Sequence, residues 1–233
     1  MEAEVAALTE AVQAEKRRLT GRLRVTAAES LANLVLAPFL SSFHDAHPGV
    51  RVDLIVSDRR LAVGRGEADV ALRAGPQPEV AGVATRRICA LGWTVYGTQG
   101  YAARHGLPRS LAEMAGHAVM GGEGGLASAS GLAAVEAVAG VDVVSRSDSL
   151  TNIAIAAGAG LCLAALPCLI GDRMPAMQRC FPPQPELGGE FWLVVREELR
   201  EVAHVRAFLD GLIAHIGPLR PMLEGTAEIT PAG

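Results

Sequence analysis

The chain is poor in the residues that mark several functional classes. Aromatic side chains make up only 4% of it, which argues against a pocket walled mainly by rings. Basic residues do not exceed acidic ones: 21 lysines and arginines stand against 25 aspartates and glutamates, a formal net charge of −4. A surface built to grip phosphates carries a basic excess, so these residues by themselves make a poor nucleic-acid binder. The four cysteines, Cys89, Cys162, Cys168 and Cys180, form no CxxC pair, and no HExxH stands beside them. Neither a zinc site nor a dithiol redox motif is indicated, no cofactor is called for, and reduced thiols in apolar strands are expected. The longest apolar run, Gly158 to Leu166, is far shorter than the roughly 20 residues that cross a bilayer. The opening segment, MEAEVAALTEAVQAEKRRL, is acidic and periodic and lacks the apolar core of a secretion signal, so a cytoplasmic setting is expected. Enzyme motifs are thin as well. The run Gly121-Gly122-Glu123-Gly124-Gly125 has no P-loop lysine, no GxSxG elbow occurs, and the histidines are scattered. No catalytic activity is expected.

What is present is a globular composition. The 233 residues are 50% hydrophobic, and a chain of this length buries roughly 70% or more of its unfolded surface without a disulfide or metal. Residues 2–18 read as a helix with Val5, Leu8 and Val12 at coiled-coil spacing, ended by Gly21. From Arg22 strand and helix alternate. Leu23 to Thr26, Val50 to Val56 and Ala68 to Leu72 read as strands. Between them lie a helix from Ser30 to His47, kinked or restarted at Pro38, and a short helix over Arg59 to Arg65. This order favours an α/β fold with a mainly parallel sheet. Further strands are expected at Thr85 to Ala90, Trp93 to Tyr96, Ala118 to Met120, Val141 to Ser145, Leu161 to Leu166, Gln178 to Phe181 and Phe191 to Val195. A helix over Leu150 to Ala157 can be capped by Ser147 or Asp148, and the Gly121 to Gly125 stretch reads as a loop. An amphipathic helix from Val202 to Ile216 closes the fold, followed by a loose tail.

Several of these segments resemble one family. Leu23-Arg24-Val25, Ser30-Leu31, Leu36-Ala37-Pro38 and Phe43 before His47-Pro48-Gly49-Val50 are similar to the opening of the effector domains of LysR-type transcription regulators. Gly66-Glu67-Ala68-Asp69-Val70-Ala71-Leu72-Arg73 and Ala157-Gly158-Ala159-Gly160-Leu161 running to Leu166-Pro167 resemble later stretches of the same domains, in the same order. The resemblance implies a type II periplasmic-binding-protein-like fold of two α/β lobes joined by two crossover strands. Lobe I would hold residues 21–96 and 196–220, lobe II residues 97–195, with a flexible tail from 221 to 233. Residues 1–20 would end a linker helix that follows a winged helix-turn-helix absent from this chain. It further implies a small-molecule effector bound between the lobes, DNA binding only through the absent domain, no membrane partner, and a homodimer or homotetramer. A stand-alone small-molecule binding protein of the same fold is the alternative.

Candidate effector-binding residues follow from where polar groups fall. Ser30 opens a helix, whose first N–H groups can receive an anion. Ser57 and Asp58 end one strand and Arg73 another, near the carboxyl edge where open α/β sheets bind ligands. The planar fork of Arg73 can grip a carboxylate at two points. Ser147 and Ser149, with Asp148 and Thr151, offer groups from the opposite wall. Each has a structural alternative: Ser30 and Ser147 as plain caps, Ser57-Asp58 as a turn, Arg73 paired with Glu67 or Asp69. Glu29 is a departure, because an acid beside Ser30 repels an anionic ligand unless a cation compensates it. The effector is therefore expected to be small and polar, with a carboxylate only if Arg73 faces the cleft.

Overall fold

In the computed structural model, which describes residues 19–57, 63 and 66–227, strand β1 (Gly21–Ala27) lies between two parallel neighbours, β2 (Val50–Val56) and β3 (Val70–Ala74). The expected helix at 2–18, the short helix at 59–65 and the end of the tail lie wholly or largely outside the described residues. Alternation sets the faces of β1: Leu23, Val25 and Ala27 are fully buried, whereas Arg22 and Arg24 between them are exposed. The buried side packs under helix α1 (residues 29–46), through Leu31, Val35, Leu36, Phe39 and Phe43. The sheet is completed by two strands from distant parts of the chain, β4 (Val83–Leu91) and β10 (Gly189–Arg196), in the order β2-β1-β3-β10-β4. Strand β10 runs antiparallel to both β3 and β4, so only the first three strands are parallel.

Helix α6 (Ala203–Ile216) buries Val205, Phe208, Leu212 and Ile216, a stripe at three- and four-residue steps. The Phe208 ring meets Phe39 and Phe43 edge-on, with both centroids 5.3 Å away. This ring cluster ties the late helix to the early one. The Gly66 to Asp69 segment ties strands instead. The Asp69 carboxylate accepts the Arg24 backbone N–H at 2.8 Å and the Arg196 guanidinium at 2.8 Å, joining the start of β3 to β1 and to the end of β10.

The chain leaves this sheet at Gly92, where an added Cβ would lie 2.3 Å from the Glu224 carbonyl oxygen; only glycine fits. Beyond it, β5 (Trp93–Thr98) pairs antiparallel with β8 (Ala164–Pro167) and β9 (Met177–Arg179), and β6 (Ala118–Gly122) pairs parallel with β7 (Asp142–Ser147). Around them lie α2 (Gln99–His105), α3 (Ser130–Glu136), α4 (Leu150–Gly158) and α5 (Cys168–Gly171). Thr98 caps α2 by accepting the Tyr101 N–H at 3.0 Å. The chain re-enters the five-stranded sheet at Gly189. Among the described residues no helix is long and apolar enough to cross a membrane.

Several local expectations are corrected. Gly121 and Gly122 finish strand β6 and do not form a loop; a Cβ at Gly122 would lie 2.5 Å from the Leu126 carbonyl oxygen, so the missing side chain allows close packing. The strand expected from Leu161 begins only at Ala164. Of the four cysteines, all free, only Cys89 lies in a strand. Residues 221–227 are not loose: helix α7 (Arg220–Glu224) buries Leu223, and the Leu223 carbonyl accepts the Gly92 N–H at 2.8 Å.

Candidate ligand-binding cleft

Parallel pairing brings the carboxyl ends of three strands to one edge, since Ala27 is level with both Val56 and Leu72. The residues at and after the strand ends therefore meet there: Ala28, Ser30 and Leu31, Ser57, and Arg73 to Pro76. The Ser57 N–H bonds to the Ala27 carbonyl at 2.9 Å and holds that turn beside α1. Gly75 bends the chain after β3 with φ 111°, a conformation that L side chains rarely adopt. Its N–H goes to the Glu190 carbonyl at 2.9 Å, and its carbonyl accepts the Trp192 indole N–H at 3.2 Å. The half-buried Arg73 is thus carried on a strand end tied to β10 by two bonds just beyond it.

The facing wall comes from the second group of strands. Trp93, Leu126, Ser128, Ser130, Leu150, Pro167 and Leu169 border the same cavity, of about 160 Å³. A single water needs only about 10–15 Å³, so the cavity has room for more than a few waters. Its lining is mostly apolar, from leucines, prolines and Trp93, with a few polar side chains among them, which is the usual make-up of a ligand pocket.

Helix α1 begins differently from the expectation. Ala28, in extended conformation (φ −61°, ψ 152°), is the residue before the first turn and supplies no side-chain cap. Ser30 lies inside that turn. Its hydroxyl is therefore not consumed as a cap, and it borders the cavity. The first intrahelical bond runs from the Ala32 N–H to the Ala28 carbonyl at 2.9 Å, so the N–H groups of residues 29–31 have no partner within the helix. The next turn, Ala32–Leu36, is π-helical, closed by the Ala37 N–H on the Ala32 carbonyl. The helix resumes α geometry at Ala37, just ahead of Pro38, which has no N–H to give.

Of the six expected site residues, Ser30, Ser57 and Arg73 are brought together on the cavity. Asp58 lies outside the described residues. Ser147 and Ser149 do not border the cavity. Ser149, and neither Ser147 nor Asp148, caps α4, its hydroxyl oxygen accepting the Asn152 N–H at 3.2 Å. The same hydroxyl donates to the Glu29 carboxylate at 3.2 Å. The departure noticed in the sequence thus has a partner, and this bond bridges α1 and α4. The Ser147 hydroxyl accepts the Ser149 N–H at 3.2 Å. Sequence reasoning missed Ser128 and Ser130. The signal was there: Ser128-Ala129-Ser130 immediately precedes Leu132 and Val135, as at the start of a helix.

Behind the second wall lies a buried polar cluster. The Tyr96 hydroxyl donates to Asp172 at 2.7 Å, and Arg179 grips both Asp172 oxygens, at 2.9 and 2.7 Å. Burial pushes the Tyr96 phenol far up, keeping it neutral, and the bond to Asp172 raises Arg179 above its already high value. These bonds fasten α5, which carries Leu169 to the cavity, onto β5 and β9.

Comparison with known proteins places this arrangement among relatives. The family model described as the LysR substrate binding domain matches residues 16–217. The HTH-type transcriptional regulator CrgA of Neisseria meningitidis is 33% identical over 101 residues, 43% of this chain and 33% of its own length. The uncharacterized HTH-type transcriptional regulator YhjC of Escherichia coli is 30% identical over 108 residues, 46% of this chain and 36% of its own. The chain spans about a third of the length of these curated relatives. Among solved structures, the CrgA regulatory domain from Neisseria meningitidis superposes with a TM-score of 0.70 at 22% identity, covering 85% of this chain and 100% of that one. The regulatory domain of CcmR from Synechocystis PCC6803, in complex with 2-PG, gives a TM-score of 0.68 at 19% identity, over 84% and 97%. The fold is therefore the α/β, type II periplasmic-binding-protein-like one that the resemblance implied.

Proposed function

Because this chain belongs to the LysR substrate-binding domain family, we propose that it is the effector-sensing part of a DNA-binding transcription regulator, with its effector bound in the cleft described above. The observation that carries this reading is the convergence on one cavity of Ser30, Ser57 and Arg73 from one wall with Ser128 and Ser130 from the other. A cation and several hydroxyls in a mostly apolar lining suit a small amphiphilic anion, with its carboxylate toward Arg73 and its apolar body against Trp93 and the leucines. The sequence pointed to a small polar effector, with a carboxylate only if Arg73 faces the cleft, and the apolar lining adds an apolar body to that expectation. The small ligand held by the CcmR domain supports the same reading.

In this reading the five-stranded sheet and its helices, residues 21–91 with 189–220, act as lobe I, and residues 93–188 act as lobe II. Ser149, bonded to Glu29, ties α4 to α1 beside the cavity, and Ser147 steadies its turn. A ligand that touches both walls favours arrangements in which they approach, and this population shift is passed to the packing of a homodimer or homotetramer. DNA is reached through a winged helix-turn-helix preceding residues 1–20, in the cytoplasm. The domain itself performs no chemistry on its ligand.

A panel of small carboxylates measured by calorimetry on wild type, Arg73→Ala and Ser130→Ala tests the site. A charge-assisted bond is worth roughly 1.5–3 kcal/mol, so Arg73→Ala should weaken the best ligand by roughly 10- to 100-fold. Equal affinity for wild type and Arg73→Ala would remove the anion from the proposal, and equal affinity for all three proteins would move the site elsewhere.

A further inference from the structure

Trp93 is one of two tryptophans in the chain, and it borders the cleft while being 7% exposed. Its ring also rests on α3. A Cβ built at Gly131 would lie 2.4 Å from the indole Cε3 and 3.1 Å from Cδ2 and Cζ3. The six-membered edge of the indole thus occupies the space that any other residue at 131 would claim. Gly131 is itself buried and directly follows Ser130, whose side chain borders the same cleft.

We propose that the Gly131–Trp93 contact sets the width of the cleft, making position 131 a size-determining residue for the ligand although it does not border the cavity. Resting on the reading of this cleft as an anion-binding effector site, the inference adds which ligands the cleft admits. The reasoning is steric. A contact of 2.4 Å is shorter than real Cβ atoms show, and an indole is rigid, so a methyl at 131 must displace either the ring or the helix. The Trp93 main chain is anchored in β5, level with Pro167 of β8 and with its backbone carbonyl accepting the Gln184 N–H at 3.3 Å, so the side chain must accommodate any displacement. Packed interiors give little, and Trp93 borders the cleft, so an indole pushed off Gly131 has the cleft to move into. Glycine at 131 lets the ring lie back into the wall; alanine brings it forward. Wide, flat ligands lose most, because a pocket short by about one methylene discriminates roughly 10- to 200-fold.

The test combines crystal structures of wild type and Gly131→Ala with calorimetry of two probes, benzoate and the wider 2-naphthoate. The expected result is an indole moved into the cleft and a 2-naphthoate affinity reduced at least about tenfold relative to benzoate. The double variant Gly131→Ala/Trp93→Phe should restore the ratio. An indole left in place with α3 displaced and the ratio unchanged overturns the proposal. Should Gly131→Ala fail to fold, Trp93→Phe alone decides: a shift of the ratio toward 2-naphthoate supports the gauge, and an unchanged ratio overturns it. If neither probe binds wild type while the indole moves as expected, the gauge stands and the anionic-ligand reading falls.

Discussion

Replacing Arg179 with methionine tests whether the polar cluster behind the cleft holds the second wall in place. Methionine keeps much of the stem's bulk and removes the cation. Arg179 gives three bonds: two to Asp172, and one of 2.8 Å to the Gly225 carbonyl. The two side chains of the pair are only 14% and 12% exposed. Without the guanidinium, Asp172 keeps the Tyr96 hydroxyl as a donor but has no counter-charge, and the Gly225 carbonyl loses its partner. Breaking a fully buried pair from one side costs about 3–5 kcal/mol, because the remaining charge stays desolvated; this part-buried pair should cost about 3 kcal/mol, the low end. Against a total stability of about 5–15 kcal/mol that is a large fraction. With a urea slope of about 1–3 kcal/mol per molar, the unfolding midpoint should fall by at least about 1 M. The double variant Arg179→Met/Asp172→Asn removes both charges and leaves an amide oxygen to accept the Tyr96 proton, so it should regain most of the loss. A cost below about 1 kcal/mol for Arg179→Met, the range of exposed pairs, would refute the argument: the pair would then be screened by water and α5 held by packing alone.

Three further outcomes follow from the packing and the thiols. Phe208→Ala empties the centre of the ring cluster with Phe39 and Phe43 and should cost about 3–5 kcal/mol in denaturant unfolding. Burial pushes the Cys89 and Cys162 thiols up to about 11 and Cys180 to about 12, each from 9.0. At pH 8 these thiolates are scarcer by roughly 100- to 1,000-fold than in the unfolded chain, so alkylation timed by mass spectrometry should require unfolding. His117 is lowered from 6.5 by burial, with His105 adding repulsion. The unfolded chain therefore binds the extra proton first, so this group's contribution is complete above pH 6.5 and is lost as pH falls toward the lowered value. Urea midpoints between pH 7.5 and pH 5 should accordingly drop less in His117→Gln than in wild type; equal drops would exclude His117 as the cause.

Where an element depends on its own residues, it was legible. The alternation of Leu23, Val25 and Ala27, and the stripe from Val205 to Ile216, state which face is buried before any partner is known. Ser30, Ser57 and Arg73 were legible as site candidates for a related reason: a strand end in an α/β pattern already says where the edge lies. Helix α3 was missed because its seven residues, rich in alanine and glycine, carry too short a periodic signal. The assignment of a cap to Ser30 was displaced by two positions because Ala28, with no polar side chain, precedes the first turn.

The family, the class of fold and the residues of one cavity wall could be read along the chain, since motifs and periodicity are properties of neighbours in sequence. What faces that wall depends on packing between distant segments. Trp93 meets Gly131, and Ser149 donates to Glu29 120 residues away. Strands β4 and β5, separated by Gly92 alone, join different sheets because β10 and β8 compete for them from far along the chain. Such pairings are set by long-range register and close packing, and no local pattern encodes which distant edge will arrive.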